Sequence, residues 1–201
     1  LNRLDKKILN QQSQHWENNF ANKPEMFGLD PSTAATKSLE LFKKNKIKNI
    51  IELGAGLGRD TIFFAKNSIK VTALDFSSTA IETIKNKSIN LGISDFIHTQ
   101  VYDLKKKLNF KEDSFEGCYS HMLYCMAFTH SEIENLNDEI CRVLKKGAIN
   151  IYTVRNYTDA GYTKGIHRGE DLYEMNGYIV HYFSDKKIKK LLKGYKNLNI
   201  D

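Results

Sequence analysis

The stretch IIELGAGLGRD, residues 50–60, decides the fold of this chain. It starts as a short apolar run, typical of a buried parallel strand, and reaches Gly54, Gly56 and Gly58 just before a predicted helix at 59–66. Glycine adopts positive φ easily, and it leaves room for a ligand to approach the backbone. In a doubly wound sheet, a nucleotide-like ligand lies at the turn after the first strand. The stretch therefore predicts such a sheet with a ligand at this turn, although turns need glycines in any case.

The chain on either side of this turn alternates predicted strands with predicted helices. Strands are predicted at residues 47–53, 69–75, 96–103, 115–122 and 148–154. Ser32 or Thr33 is predicted to cap one helix, and Ser77 or Ser78 another. A further amphipathic helix is predicted to end in the basic turn at residues 145–147. This order predicts an α/β fold with a doubly wound, mostly parallel sheet.

Two segments depart from the alternation. Residues 1–31 contain both prolines and are predicted to be an irregular or partly helical arm, ahead of a domain over 32–201. Residues 155–183 are rich in Tyr, Gly and His and are predicted to form a loop or hairpin insertion. Ser184 is predicted to cap a final helix, and residues 195–200 are predicted to begin another strand.

Acidic residues mark the ends of the first three predicted strands. Glu52 stands before the glycines, Asp75 ends the second strand and Asp103 follows the third. A carboxylate placed like Asp75 can accept hydrogen bonds from both ribose hydroxyls. The plainer interpretation is that Asp75 and Asp103 cap the segments after them. The spacing GxGxG differs from the dinucleotide fingerprint GxGxxG, whose last glycine would fall at Arg59, and this disfavours an NAD-linked oxidoreductase.

Length and composition limit the remaining classes. A chain of 201 residues with 41% hydrophobic and 27% charged residues suits one globular domain. No apolar stretch is long enough for a transmembrane helix or a signal peptide, so a cytoplasmic location without a membrane partner is predicted. Three cysteines without a CxxC pair predict no disulfide frame and no metal site. The net charge of +6 permits an acidic partner, but no Arg- and aromatic-rich stripe supports nucleic-acid binding, which is disfavoured.

These motifs resemble those of the class I S-adenosylmethionine-dependent methyltransferases, in the small-molecule branch that includes tellurite-resistance-type proteins. The family's four cofactor motifs correspond to ELGAGLGRD (52–60), ALDFS (73–77), VYDL (101–104) and DSFEGCYSHMLYCM (113–126). Residues 139–154 are similar to the helix and strand often written "RVLKPGG", with Lys146 in place of the proline. The resemblance covers roughly residues 30–154. It implies a Rossmann-like fold whose C-terminal antiparallel hairpin is incomplete here, because the family has seven strands.

The resemblance also implies S-adenosyl-L-methionine as the cofactor. The implied cofactor-binding residues are Glu52, Gly54, Ala55, Gly56, Arg59, Asp75, Phe76, Ser77, Tyr102, Asp103, Leu104 and Ser120. Asp75 would hold the ribose, Phe76 would lie against the adenine and Arg59 would line the methionine end. Residues 15–32 are similar to a mobile cover over the cofactor, although the aromatic residues of this arm could equally serve ordinary packing.

Methyl transfer from a sulfonium asks the protein mainly to position the acceptor and to exclude water. His121 and Tyr124, after the fourth strand, are the catalytic candidates, and His121 could act as a base or orient the acceptor. Substrate contacts are predicted for Arg155, Tyr162 and His167.

The sequence after the fourth strand narrows the acceptor class. It reads Ser-His-Met-Leu rather than the Asn/Asp-Pro-Pro-aromatic turn of amino-base methyltransferases. No cysteine follows a proline, as the nucleophile of cytosine-C5 methyltransferases would require. A small-molecule acceptor is therefore favoured over protein or RNA. A non-enzymatic module that binds S-adenosylmethionine or S-adenosylhomocysteine is the alternative, and the sequence does not indicate an oligomeric state.

Overall fold

The computed structural model describes residues 4–196 and 199, and a five-stranded parallel sheet lies at its centre. The strands are β1 (Asn49–Leu53), β2 (Lys70–Asp75), β3 (Ile97–Val101), β4 (Phe115–His121) and β5 (Leu144–Thr153). Their order across the sheet is β3-β2-β1-β4-β5, and every neighbouring pair is parallel. The order changes direction between β1 and β4, as in a doubly wound fold. The predicted fold class is confirmed.

Helices cover both faces of the sheet. They are α1 (Lys6–Asn22), α2 (Thr33–Lys44), α3 (Arg59–Lys66), α4 (Ser78–Asn90), α5 (His130–Val143) and α6 (Asp185–Lys190). Ser32, Ser77 and Ser184 are the N-caps of α2, α4 and α6, which confirms these three predictions. Successive strand residues point to opposite faces, so Ile50 packs with α2, α3 and α4 while Ile51 packs with α5 and α6. This alternation explains why the strands are apolar on both sides.

The junction between α5 and β5 differs from the prediction. The helix ends at Val143, and Leu144 already has extended backbone angles and pairs with Phe115. Ladder pairing resumes only at Ile149, so the predicted basic helical turn at 145–147 is instead an outward bulge of β5. The prediction was wrong because a run of lysines before a glycine suits a helix end and a bulge equally well.

A second, smaller sheet follows β5. Its strands are β6 (Arg155–Asn156), β7 (Ile166–Gly169), β8 (Leu172–Met175) and β9 (Tyr178–Phe183), in the order β6-β9-β8-β7. The β7-β8 and β8-β9 pairs are antiparallel, whereas β6 runs parallel to β9. Asn176 and Gly177 join β8 to β9 with φ of +53° and +81°, the positive values of a type I′ hairpin turn. The segment predicted as a loop or hairpin is thus an ordered sheet.

The C-terminal strand predicted at 195–200 is not seen where the structure describes the chain. Tyr195, Lys196 and Asn199 are outside any strand, and the other residues of that segment lie outside the described residues. Within residues 4–196 and 199, β5 forms one edge of the central sheet. In the same residues, no helix combines the length and the apolar character that a membrane span needs.

Candidate active site

A cavity of about 1010 Å³ lies at the carboxyl ends of β1 to β4. Its walls come from the turn after β1, the residues after β2, β3 and β4, one side of α1 and the second sheet. Its position is the one at which open α/β sheets bind ligands, beyond the strand ends where the strand order changes direction. Its volume is at the upper end of the range of about 300–1,000 Å³ typical of small-molecule sites.

The glycine turn forms the floor of this cavity. Gly54, Gly56 and Gly58 all have positive φ, of +71°, +52° and +81°. A side chain at Gly58 would overlap Ile84 of α4, so this glycine permits close helix packing. A Cβ on Gly56 would meet only the Phe20 ring, at 3.7 Å, so the backbone here is open to a ligand.

Asp75 stands beside this turn at the end of β2. Its Oδ2 accepts the Gly56 N–H at 2.8 Å, and its Oδ1 accepts the Ser77 N–H at 2.9 Å. The side chain lines the cavity although the residue is only 4% exposed. Burial raises the pKa of Asp75 to about 6, against the effect of its two backbone hydrogen bonds.

Two further buried carboxylates, Glu52 and Asp60, flank the glycine turn and line the same cavity. Glu52 accepts a hydrogen bond from the Thr61 hydroxyl at 2.6 Å, and burial raises the pKa of Glu52 well above its ordinary value. Asp60 accepts hydrogen bonds from the hydroxyls of Ser32, at 2.7 Å, and Tyr119, at 2.8 Å. Sequence reasoning did not single out Asp60 and its two hydroxyl partners, although Asp60 is the last residue of the motif ELGAGLGRD.

The ends of β3 and β4 form the next wall. Tyr102, Asp103 and Leu104 all line the cavity, and so does His121. The His121 Nδ1 lies 2.8 Å from the Thr153 hydroxyl on β5. Burial and the charge of nearby Arg59 lower the pKa of His121, against the opposing charge of Asp60. His121 is therefore a neutral imidazole near pH 7.

The arm closes the cavity above the glycine turn. Trp16, Phe20 and Phe27 line it and contact one another, with ring centroids 5.7–6.4 Å apart. Arg59 donates a hydrogen bond to the Phe27 carbonyl at 2.8 Å, and its guanidinium lies 5.8 Å from the centre of the Phe27 ring. The Gln12 side chain donates to the Gly177 carbonyl and accepts the Ile179 N–H, so α1 also joins the hairpin of the second sheet.

The second sheet supplies the opposite wall. Tyr178, Val180 and Tyr182 alternate along β9 and line the cavity, together with Tyr173 of β8. Arg155 lines the same side and forms an ion pair with Asp159 at 2.7 Å.

Lys187 of α6 stabilises the second sheet through hydrogen bonds of its ammonium group. The Lys187 ammonium donates to the Asp171 carboxylate at 2.9 Å, to the His181 Nε2 at 2.7 Å and to the Tyr182 carbonyl at 2.9 Å. The His181 ring is fully buried and donates from Nδ1 to the Phe128 carbonyl at 2.8 Å, and burial together with the charge of Lys187 lowers the pKa of His181 to about 3. The sheet is thereby attached to the chain that follows β4.

Comparison with known proteins gives the family. A family model described as a methyltransferase domain matches residues 50–147. Over 173 residues, the chain is 30% identical to phosphoethanolamine N-methyltransferase 1 of Zea mays, a match that covers 82% of this chain. Residues 50–147 therefore form a domain of the class I S-adenosylmethionine-dependent methyltransferase family. The chain spans about a third or less of the length of the plant relatives that it matches.

Two solved structures share the fold of this chain. An S-adenosylmethionine-dependent methyltransferase from Clostridium acetobutylicum ATCC 824 aligns with a TM-score of 0.67 and 14% identity, over 92% of this chain and 86% of that chain. The [4+2]-cyclase SpnF aligns with a TM-score of 0.71 and 16% identity, over 92% of this chain and 70% of that chain. Because one neighbour is named for a cyclisation, the fold alone does not determine the reaction.

The structure gathers most, but not all, of the residues that the sequence singled out as site residues. The residues that line the cavity are Glu52, Gly54, Ala55, Gly56, Arg59, Asp75, Phe76, Tyr102, Asp103, Leu104, His121 and Arg155. Ser77 and Ser120 are buried beside the cavity without lining it: Ser77 caps α4 and Ser120 lies within β4.

Three predicted contacts do not reach the cavity. Tyr124 is fully buried in the core and packs edge-on against Tyr152 at 4.8 Å, so it is not placed for the catalytic role suggested by the sequence. Tyr162 stacks on Tyr157 at 4.2 Å and contacts the rings of Tyr173 and Tyr182, which line the cavity while Tyr162 itself does not. His167 is exposed and lies against Tyr173, at 4.9 Å between ring centroids.

The tyrosines of β8 and β9 are the main cavity residues that sequence reasoning missed. A signal for them was present. Asn-Gly at 176–177, flanked by LYEM and YIVHYF, is a strong hairpin pattern, and the alternation in β9 places Tyr178 and Tyr182 on one face.

Proposed function

We propose that this chain binds S-adenosylmethionine against the glycine turn and methylates a small molecule held against the second sheet. The observation that carries the proposal is one cavity with two different halves. One half has an open backbone and the buried Asp75 carboxylate, and the other is lined by Tyr173, Tyr178 and Tyr182. A cofactor alone would need only the first half.

The residues of the first half fit the cofactor. Each Asp75 oxygen accepts one backbone N–H and retains capacity for another donor, as two ribose hydroxyls require. Phe76 and Leu104 would lie against the adenine, with Asp103 near its amino group, and Arg59 would line the methionine end. When bound, the cofactor supplies a methyl group that is already activated on a sulfonium.

His121 is the proposed contact to the acceptor. Its lowered pKa keeps the imidazole neutral, and a neutral imidazole can accept a proton. In the tautomer whose Nδ1–H donates to the Thr153 hydroxyl oxygen, Nε2 is the atom that would take a proton from an acceptor amine or hydroxyl. The aromatic walls exclude water from the reacting atoms.

The arm, residues 1–31, is proposed to cover the cofactor, while residues 155–183 cover the acceptor. Lys164 lines the acceptor half and offers positive charge for an anionic group, whereas the charge of Arg155 on the same side is already paired with Asp159. Phosphoethanolamine, for which the maize relative is named, is therefore the first acceptor to test, beside other small amines.

Calorimetric titration with S-adenosylmethionine, S-adenosylhomocysteine and NAD tests the cofactor. Binding of the first two, lost in Asp75→Ala, supports the proposal. A preference for NAD, or the absence of binding, would overturn it.

Transfer of labelled methyl groups from S-adenosylmethionine to a panel of small amines then tests the reaction. Tight cofactor binding without transfer to any acceptor would instead favour a regulatory binding module. Full turnover of His121→Ala at saturating acceptor would remove the role of His121.

A further inference from the structure

A carboxylate of the arm bonds to the first turn of α4. The Glu17 Oε1 accepts hydrogen bonds from the Thr79 hydroxyl at 2.6 Å, the Thr79 N–H at 3.1 Å and the Ser78 hydroxyl at 3.2 Å. One oxygen of a half-buried side chain thus binds three donors on an element that is 61 or 62 residues away in the chain. A carboxylate near a helix N-terminus is favourable because the exposed N–H groups and the helix dipole carry positive charge.

The same helix end also binds Asp75. The first N–H groups around the start of α4 are divided among three acceptors: Asp75 accepts from Ser77, Glu17 from Thr79, and the Ser77 hydroxyl from Ala80. Glu17 therefore bonds two residues beyond the group that orients Asp75. Glu17 and Asp75 also interact electrostatically, because the negative charge of Glu17 contributes to raising the pKa of Asp75.

Glu17 lies at the border of the cavity face of α1. Its neighbour Trp16 and the following Phe20 line the cavity, whereas Glu17 itself does not. A cofactor whose ribose is held by Asp75 would be enclosed between Asp75 and these two rings. To leave, it would need α1 to separate from α4, and the Glu17 hydrogen bonds join these two helices.

We propose that Glu17 is a positioning residue that holds α1 closed over the adenosine end of the cofactor by bonding to the first turn of α4. This inference rests on the proposed function, because it assumes that the cofactor lies at Asp75. It assigns Glu17 no contact with the reacting atoms. Glu17 would affect the dissociation rate of the cofactor, whereas methyl transfer would depend on the residues after β4 and on the second sheet.

The rate at which S-adenosylhomocysteine leaves the protein tests this directly. The complex with tritiated S-adenosylhomocysteine is chased with unlabelled ligand in the wild type, Glu17→Ala, Glu17→Gln and the control Glu25→Gln. Glu25 is an exposed acid of the same arm that acts on α4 only through the charge of Lys87, in the last turn, so its variant removes an equal charge and leaves the hydrogen bonds to the first turn in place. Fluorescence of Trp16, the single tryptophan of the chain, reports the opening of α1 in the same samples.

We expect dissociation about tenfold faster in Glu17→Ala, because charge-assisted hydrogen bonds are lost. In Glu17→Gln we expect dissociation to be about threefold faster, because the amide oxygen still accepts hydrogen bonds from Thr79 but carries no charge. The association rate should be unchanged or higher, since an opened arm admits ligand more easily. A residue that merely supports the fold would instead lower the association rate.

Dissociation from Glu17→Ala within about twofold of the wild type would overturn the inference. So would an equal acceleration in Glu25→Gln, or a slower association in both Glu17 variants. Failure of the wild type to bind S-adenosylhomocysteine at all is a different result, because it would contradict the proposed function itself.

Discussion

The Asp75 carboxylate accepts the Gly56 N–H at 2.8 Å and so joins the end of β2 to the turn after β1. The two sequence signals that pointed to a cofactor, the glycines and the acid, are thus in direct contact. With Ser77 as its second donor, the carboxylate is oriented before any ligand arrives. Such preorganisation means that binding does not have to restrain this side chain.

The affinity for S-adenosylhomocysteine should fall as the pH is lowered through about 6. Burial raises the pKa of Asp75 to about 6 in the free protein, and donation from ribose hydroxyls favours the charged form, so binding lowers this pKa and releases a proton. Calorimetry between about pH 5 and 8, in buffers of different ionisation enthalpy, should show an affinity loss of at most about tenfold per unit below pH 6. Asp75→Asn should bind weakly and without this slope; a slope that persists in this variant would assign the proton elsewhere.

The same pKa has a stability consequence of defined sign. The pKa of Asp75 in the folded protein, about 6, is above the ordinary value of 3.8 for an aspartate, so the folded state holds this proton more tightly than the unfolded chain. The resulting contribution to the free energy of unfolding is fully present below about pH 4 and is lost as the pH rises through about 6. Urea denaturation of wild type and Asp75→Asn across this range should show the difference.

Gly58→Ala and Gly56→Ala should separate stability from binding. Both positions have positive φ, which costs an alanine about 1 kcal/mol, but only at Gly58 does the new Cβ also overlap Ile84. We expect Gly58→Ala to lower the free energy of unfolding by about 2–4 kcal/mol and Gly56→Ala by about 1 kcal/mol. Gly56→Ala should instead lose at least about tenfold in cofactor affinity, because its methyl group enters the cavity. The reverse ranking in denaturation and calorimetry would contradict this assignment.

Tyr119→Phe should be more damaging than the chemically identical change at Tyr152. The Tyr119 hydroxyl donates to the buried Asp60 carboxylate, while the Tyr152 hydroxyl oxygen is buried with no hydrogen-bond partner in the part of the chain that the structure describes. Loss of a donor to a buried charge costs about 1–3 kcal/mol of the free energy of unfolding. Tyr152→Phe should stay within about 0.5 kcal/mol of the wild type or stabilise the protein. Equal effects in urea denaturation would show that Tyr119 contributes only packing.

Lys187→Met should loosen the second sheet. The substitution removes the hydrogen bonds to Asp171, His181 and the Tyr182 carbonyl while keeping the apolar stem. We therefore expect the free energy of unfolding to fall by about 2 kcal/mol. Limited proteolysis should become severalfold faster between β6 and β7. Lys186→Met, at an exposed neighbouring position, is the control and should change neither quantity. Unchanged proteolysis in Lys187→Met would show that the sheet is held by apolar packing alone.

The elements of the sheet were predictable because their signals are local. A β-branched run before glycine, or a serine before an apolar face, depends on a few neighbouring residues, and the caps at Ser32, Ser77 and Ser184 agree with the structure. The glycine turn and Asp75 could be paired in advance because parallel strands end at the same edge of a sheet.

The acceptor half could not be predicted in the same way. Tyr124 follows β4 closely in sequence, but Met122 between them adopts a positive φ of +63°, and the chain beyond it places the tyrosine in the core. Non-glycine residues seldom take this conformation, so no sequence pattern announced the turn. The network of Ser32, Asp60 and Tyr119 depends on contacts between residues 28, 59 and 87 positions apart, which single-sequence patterns do not report.

The two hydrogen bonds of Gln12 to the β8-β9 hairpin have a consequence for how this chain can be altered. The Gln12 side chain bonds to one backbone carbonyl and one backbone N–H of the hairpin, so α1 and the hairpin are expected to move together. Replacing residues 155–183 to change the acceptor would therefore also change the dissociation rate of the cofactor. Grafts should therefore transfer the first helix together with the insertion, as a matched pair.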